Sequence, residues 1–322
     1  MKKVWIVLVF AGFAAITVWE FFARGLYPYP GNFMLAWFEP WKTHFMANGA
    51  ITVSHKPVID DVFRHLYPLR LLTVELMKQW QWPLWNPYNG AGAPLLAVMH
   101  PGFFNPFGIV FFFLPPELAW LLFVGFQPFI LGLATYAYCR VLRLRMMASA
   151  FAATTLIFSG FVIVRLEYGE FIYGLAALPL LLILIEFALQ KRRWVLLTPW
   201  VVAFLILSSQ PHMSVYVAGL SVLYLCYRWT QEGLRVHVKQ ALWFSFLCFL
   251  GIGMAAVQLV PSLELYKLST INQHTSQFIF QRFLLPLGHL VTIVIPNYFG
   301  THATYNYFGA GGDSIETAAA IG

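Results

Sequence analysis

Long apolar runs separated by short polar or basic segments set the pattern of this chain. Crossing a bilayer core takes about 20 apolar residues in a helix. Val4–Ala23, Leu118–Cys139, Met146–Val164, Phe171–Leu189 and Ala241–Val260 meet that requirement. Trp194–Ser209 and Met213–Tyr227 are shorter, but Arg193, Trp194, Arg228 and Trp229 at their ends can snorkel and anchor them. A re-entrant hairpin is the alternative for this pair. Leu95–Leu114 is long enough to cross, yet it contains His100, Pro101, Asn105 and Pro106. It is read as a partly buried surface or re-entrant element. The predicted fold is therefore all-α and polytopic, with about seven transmembrane helices in a single membrane domain over residues 1–322. Residues 24–117 form a large first extracytoplasmic loop, and 261–322 an extracytoplasmic C-terminal stretch. Its one moderately apolar segment, Leu284–Pro296, is too short to span comfortably. The ending at Ala318-Ala319-Ala320-Ile321-Gly322 has no terminator of its own, so a truncated chain is expected.

Charge sets the orientation. Eleven of the 20 Lys and Arg fall in connections that seven spans place on one side: Lys2/Lys3, Arg140/Arg143/Arg145, Lys191/Arg192/Arg193 and Arg228/Arg235/Lys239. The positive-inside rule makes that side cytoplasmic, together with the N-terminus. Had Leu95–Leu114 crossed, Arg140, Arg143 and Arg145 would lie outside. Met1-Lys2-Lys3 before the first run resembles a signal sequence, but no small-x-small cleavage site follows, so a retained signal anchor is expected. Composition agrees, with 60% hydrophobic and 10% charged residues, where a soluble domain carries about 25% charged. The net charge of +7 is topological, without a basic stripe to track phosphates, so no nucleic-acid partner is expected. Cys139, Cys226 and Cys248 all sit in apolar spans, which argues against a structural disulfide.

The candidate chemistry clusters in the outward loops. Asp60-Asp61 precedes Arg64 and His65, and a surface helix over Val62 to Met77 would put Asp61 and His65 on one face. A carboxylate at a membrane surface can act as a general base toward a hydroxyl or bind a divalent cation. The plainer reading makes Asp60 a helix cap. Arg165, Glu167 and Glu170 share a tight connection between spans, where two carboxylates and an arginine can hold a metal or an anionic leaving group. An ordinary charged interfacial loop is the alternative. His212 and Gln258 come from two further outward segments. Arg70 and Arg282 suit phosphate, since a guanidinium matches it bidentately, though lipid head groups would serve equally. Pro83–Pro94 has no titratable side chain and reads as architecture, with Asn86 able to hydrogen-bond a sugar. A divalent metal is optional, with Asp61 and Glu167 as candidate ligands. Walker, dinucleotide-binding and Gly-x-Ser-x-Gly motifs are missing from the sequence, which leaves soluble nucleotide chemistry unsupported. The spans carry no mid-membrane charge, Glu20 and Glu186 lying near ends, which weakens an ion-coupled transporter reading.

Asp61-x-x-x-His65-x-Tyr67-Pro68 followed by Pro83-Leu84-Trp85-Asn86-Pro87-Tyr88 and Gly92-x-Pro94 resembles the bacterial YfhO-like membrane proteins. Phe158-Ser159-Gly160-Phe161, Ala177-Leu178-Pro179-Leu180, Gln258-Leu259-Val260-Pro261-Ser262-Leu263-Glu264 and Pro296-Asn297-Tyr298-Phe299-Gly300 extend the similarity over nearly the whole chain from about residue 55. That family looks like a branch of the GT-C glycosyltransferase superfamily. The resemblance implies a seven-helix core in the bacterial cytoplasmic membrane and a polyprenyl-phosphate sugar donor. It also implies inversion at the anomeric carbon and an acceptor that is an envelope polymer, lipid or protein. It gives Asp61 the first-loop acidic position and lets Glu167 or Glu170 supply a second carboxylate. His65 departs from a position often occupied by glutamine. The family's members are commonly longer. Competing expectations are a non-enzymatic lipid-linked-glycan transporter or flippase and an envelope assembly scaffold.

Overall fold

A computed structural model describes residues 2–47, 59–99, 102–232, 238–269, 287–300 and 306–309. About 75% of those residues are helical, and there is almost no strand. Helices α1 (Lys2–Thr17) and α2 (Trp19–Arg24) come first, followed by the short α3 (Asn32–Trp37) and α4 (Trp41–Ala47). Next comes α5 (Tyr67–Lys78), entered through a π-helical turn at Val62–Leu66. A hairpin of two-residue strands, β1 (Trp85–Asn86) and β2 (Ala93–Pro94), precedes a 3₁₀ turn at Pro106–Phe112. The remaining helices are α6 (Pro116–Val141), α7 (Met146–Ile157), α8 (Gly160–Arg165), α9 (Phe171–Leu189), α10 (Thr198–Ser208), α11 (Pro211–Glu232), α12 (Val238–Met254) and α13 (Ala256–Leu268).

Helix α9 is apolar all round, so it must be surrounded. It packs against α6, α10, α11 and α12, and α6 in turn holds α1 and α7. Small residues let the helices approach closely, as membrane helix pairs require. A Cβ on Gly132 of α6 would come within 2.6 Å of Ile157 and 2.7 Å of Phe10, and one on Gly251 of α12 within 2.7 Å of the Pro199 carbonyl oxygen. Pro128 interrupts α6 and deprives the Val124 carbonyl of its helical donor. The buried Gln127 amide repairs this, donating to Val124 O at 3.3 Å and to Leu166 O at 2.9 Å. One side chain thus mends α6 and ties it to the turn that follows α8.

Among the described residues, α6 and α9 are each long and apolar enough to cross a membrane, and there are four such spans if each bent pair counts as one. The first pair, Met146–Ile157 with Gly160–Tyr168, bends by 46°; the second, Val238–Met254 with Ala256–Leu268, bends by 70°. The apolar runs over Met146–Val164 and Ala241–Val260 are thus broken helices. Ser159, extended at ψ 149° with its hydroxyl turned back to Leu156 O at 2.8 Å, marks the first break. The run Val4–Ala23 is interrupted at Val18, next to a Thr17 hydroxyl that donates to Ala14 O at 2.7 Å. Arg193–Ser208 is apolar but short, and α11 is long but less apolar. Within Leu95–Leu114 the regular structure is the Pro106–Phe112 turn, which lies against α6.

The last turns of α6, α9 and α11 meet at one end of the bundle. There Glu186, buried on α9, accepts hydrogen bonds from Arg228 Nε at 2.6 Å and Nη2 at 3.1 Å, and from the Tyr224 hydroxyl at 2.6 Å. Removing one partner of such a pair strands the other charge. Glu186→Ala is therefore expected to destabilise the protein by about 3–5 kcal/mol. The double replacement Glu186→Leu/Arg228→Met should recover most of that loss. Thermal unfolding of the three forms in one detergent checks both outcomes.

Candidate functional site

The opposite end of α9 gathers a different set of polar groups. The 3₁₀ turn Leu166–Tyr168 ends at Gly169, whose φ of +77° is a left-handed conformation that glycine adopts freely. A Cβ there would also crowd Trp120 at 3.1 Å and Phe123 at 3.2 Å. This turn leaves Glu167 half-buried and directs Glu170 inward, where it is 2% exposed. Gln210, from the connection between α10 and α11, donates its amide to Glu170 Oε1 at 2.5 Å.

Arg70 reaches the same region from α5. Val62, Leu66, Arg70, Thr73 and Val74 form one buried stripe along this helix, so Arg70 enters the core in place of an apolar residue. Its guanidinium lies over the Phe123 ring at 4.0 Å and near Phe111 at 5.5 Å. Two glycines in the 102–108 segment leave room for it. A Cβ on Gly102 would stand 3.2 Å from Nη2, and one on Gly108 would stand 3.1 Å from Nη1. Among the described residues, none hydrogen-bonds or ion-pairs with Arg70, and its buried Nε has no acceptor. Asn105 is beside it, with Cβ 3.8 Å from the same Gly102 position. Its Oδ1 accepts from Phe107 N at 3.0 Å, while its buried Nδ2 also has no acceptor. Burial lowers the Arg70 pKa from its ordinary value to about 10, against the opposing pull of Glu170 and Tyr173. The group remains a cation at neutral pH. The site thus holds a buried positive charge and two donors that no described residue meets.

The other expected residues are distributed around this centre. Arg165 is buried, with its guanidinium 4.4 Å from the Phe161 ring and 5.9 Å from that of Phe171. Phe171 also meets the exposed His212 ring at 5.5 Å, which brings His212 to the Glu170 neighbourhood. Asp61 and His65 are exposed on the π-helical turn, and this turn packs through Val62 and Leu66 against Leu166. The turns bearing Asp61 and Glu167 are therefore neighbours. Among the described residues Asp61 and His65 form no ion pair, whereas Asp60 meets Arg64 at 3.1 Å. Asp61, not Asp60, holds the N-cap position of the turn, and it makes no side-chain cap hydrogen bond. A π-helical turn inside a helix is often a functional feature.

Asn86 and Gln258 are occupied elsewhere. Asn86 is buried in the β1–β2 hairpin, where its Oδ1 accepts from Tyr88 N at 2.9 Å. Gly92, at φ +98°, would drive a Cβ into the Trp85 indole, so Pro83–Pro94 is shaped as a tight hairpin. Gln258 donates to Leu96 O, and Ser262 donates to Ala97 O at 2.8 Å. In this structure Gln258 is a strut from α13 to the 96–98 loop. Arg282 lies outside the described residues. Among the described residues no three of His, Cys, Asp or Glu come together, and no metal step is assigned.

No family model, curated protein or solved structure matches this chain. The site must therefore be judged on its own geometry. Sequence reasoning passed over Asn105, Gln210 and Tyr173. For Arg70 a signal was present, because the spacing 62, 66, 70, 74 puts an arginine on an apolar stripe.

The fall of the Arg70 pKa to about 10 corresponds to a cost on the order of 3 kcal/mol. The folded state binds the proton less tightly, so the cost is fully present below about pH 10 and is relieved as pH rises toward the ordinary guanidinium range. Arg70→Met is therefore expected to unfold at a higher temperature than wild type at neutral pH in detergent without ligand, and a lower value would contradict the assignment.

Proposed function

We propose that the chain is a membrane glycosyltransferase of the GT-C type with about seven transmembrane segments. It moves a sugar from a polyprenyl-phosphate donor to an envelope polymer, lipid or protein on the extracytoplasmic face of a bacterial cytoplasmic membrane, with inversion. The observation that carries this reading is that Arg70 Nε and Asn105 Nδ2 are both buried donors without an acceptor among the described residues, on side chains that each approach Gly102. Unmet buried donors are costly, and a phosphate oxygen is a fitting partner for both. Among the described residues no hydrogen bond ties the guanidinium to the 102–108 segment, so a phosphate oxygen meeting Arg70 would break none there.

The chemistry then divides among named groups. The acceptor hydroxyl attacks the anomeric carbon as Asp61, exposed and unpaired among the described residues, takes its proton. The bond from that carbon to the donor's phosphate oxygen breaks, and polyprenyl phosphate leaves with one more negative charge than the phosphodiester carried. Arg70 answers that added charge, which develops in the transition state and so lowers the barrier. Arg165 lines the same end of the bundle. Glu170, held by Gln210, positions Arg70 electrostatically rather than acting as base. Glu167 is the second carboxylate, on the turn next to Asp61.

One observation favours a second reading. The bent pairs α7–α8 and α12–α13 are discontinuous helices, which transporters use around midplane sites. A lipid-linked-glycan flippase would retain function when Asp61 is replaced. The deciding experiment measures transfer from labelled polyprenyl-phosphate sugar by protein reconstituted in vesicles. Asp61→Asn, correctly inserted, is expected to lose about 10²- to 10⁴-fold in rate. Arg70→Met should lose comparable activity despite its greater stability. Undiminished transfer by Asp61→Asn removes the base assignment, and labelled lipid that crosses the bilayer without transfer supports the flippase.

A further inference from the structure

The basic end of the bundle holds a cavity that lies apart from the candidate site. It forms where the last turn of α9, the turn Arg193–Leu197 and the first turn of α12 meet, and encloses about 360 Å³. Lys191, Arg192, Arg193 and Lys239 line it, among the described residues no carboxylate does, and Val195 and Trp243 are among its apolar walls. Among the described residues these four cations have no ion-pair partner; Arg192 and Arg193 lie over the rings of Phe187 and Trp194 at 5.3 and 5.5 Å. Contrast the neighbouring cavity at the same end, where Arg228 is neutralised by Glu186.

An unbalanced fourfold positive charge calls for an anion, and the surroundings say which kind. Immediately beside the cations, Leu196, Trp200, Leu242 and Phe246 are 55%, 66%, 66% and 49% exposed. Trp243 stacks on Phe246 at 5.5 Å and joins the cavity to this apolar belt. A soluble anion would use the charges and leave the belt bare. A nucleic acid would need the cations spread along a track rather than gathered in one cavity. A molecule with a phosphate head and hydrocarbon chains uses both features, and basic pockets between membrane helices on the cytoplasmic side bind such head groups.

We propose that this cavity binds the head group of an anionic phospholipid from the cytoplasmic leaflet, with the acyl chains lying along Trp243 and Phe246. The site is independent of sugar transfer.

The test uses the full chain in phosphatidylcholine nanodiscs with and without phosphatidylglycerol, reading retained lipid by native mass spectrometry. Arg193→Gln/Lys239→Gln keeps Lys2, Lys3, Arg140, Arg143, Arg145, Lys191 and Arg192 to hold orientation, which protease protection verifies. Two cations at about 1 kcal/mol each predict roughly 30-fold weaker retention of phosphatidylglycerol. Arg143→Gln/Arg145→Gln, at the same end but outside the cavity, should retain it as wild type does. Trp243→Ser keeps every charge and should weaken retention of the lipid without changing the response to inorganic phosphate. Equal losses in the two charge variants would reduce the effect to diffuse surface charge and overturn the site. So would inorganic phosphate that displaces no lipid and protects the wild-type protein from thermal unfolding as well as phosphatidylglycerol does.

Discussion

Helix α9 is the element on which the rest depends, because it is apolar all round and carries a buried carboxylate at each end. Glu170 stands just before its first turn and Glu186 near its last, sixteen residues apart, or roughly 24 Å at the rise of an α-helix. Neither charge can be buried without partners drawn from other helices. Glu186 recruits Arg228 and Tyr224 from α11, and Glu170 recruits Gln210 from the connection before it. Those two anchors fix α11 against α9 at both ends. The apolar faces between them then pack α6, α10 and α12 around the same axis.

The two ends differ in how fully charge is satisfied, and that difference separates structure from chemistry. At Glu186 each carboxylate oxygen meets a guanidinium nitrogen, which is a finished interaction. At Glu170 the nearby Arg70 keeps no hydrogen bond among the described residues and rests on aromatic faces instead. Cation–π contact offsets part of its desolvation but supplies no acceptor. With Asn105 also lacking one, this end holds an unspent demand for negative oxygen. A folded protein that tolerates such a cost places its ligand there more readily than at a saturated ion pair.

Much of this was legible in the chain. The apolar run Phe171–Leu189 appears as α9 with the same bounds, and Leu118–Cys139 lies within α6. Regular apolar composition over nineteen or more residues allows little besides a helix. The Pro83–Pro94 segment read as architecture because Gly and Pro dictate backbone angles locally, and it is a hairpin. The broken helices were read as continuous spans because both runs stay largely apolar, although Ser159-Gly160 at the first bend and Gly251 and Gly253 before the second are local kink signals.

The sequence by itself determined which stretches are helical and apolar, and gathered the basic residues into particular connections. Hydropathy and local charge are properties of neighbouring residues, and the tertiary structure leaves them unchanged. Only the tertiary structure decided which polar groups become partners. Gln258 reached the 96–98 loop, Asn86 turned into its own hairpin, and Gln210 took Glu170, although all three had the same donors and acceptors to offer a sugar. Arg70 and Asn105, thirty-five residues apart, both approach Gly102, and each keeps a buried donor without an acceptor among the described residues. Satisfaction of a hydrogen bond depends on the position of a partner distant in sequence, and packing alone sets that position.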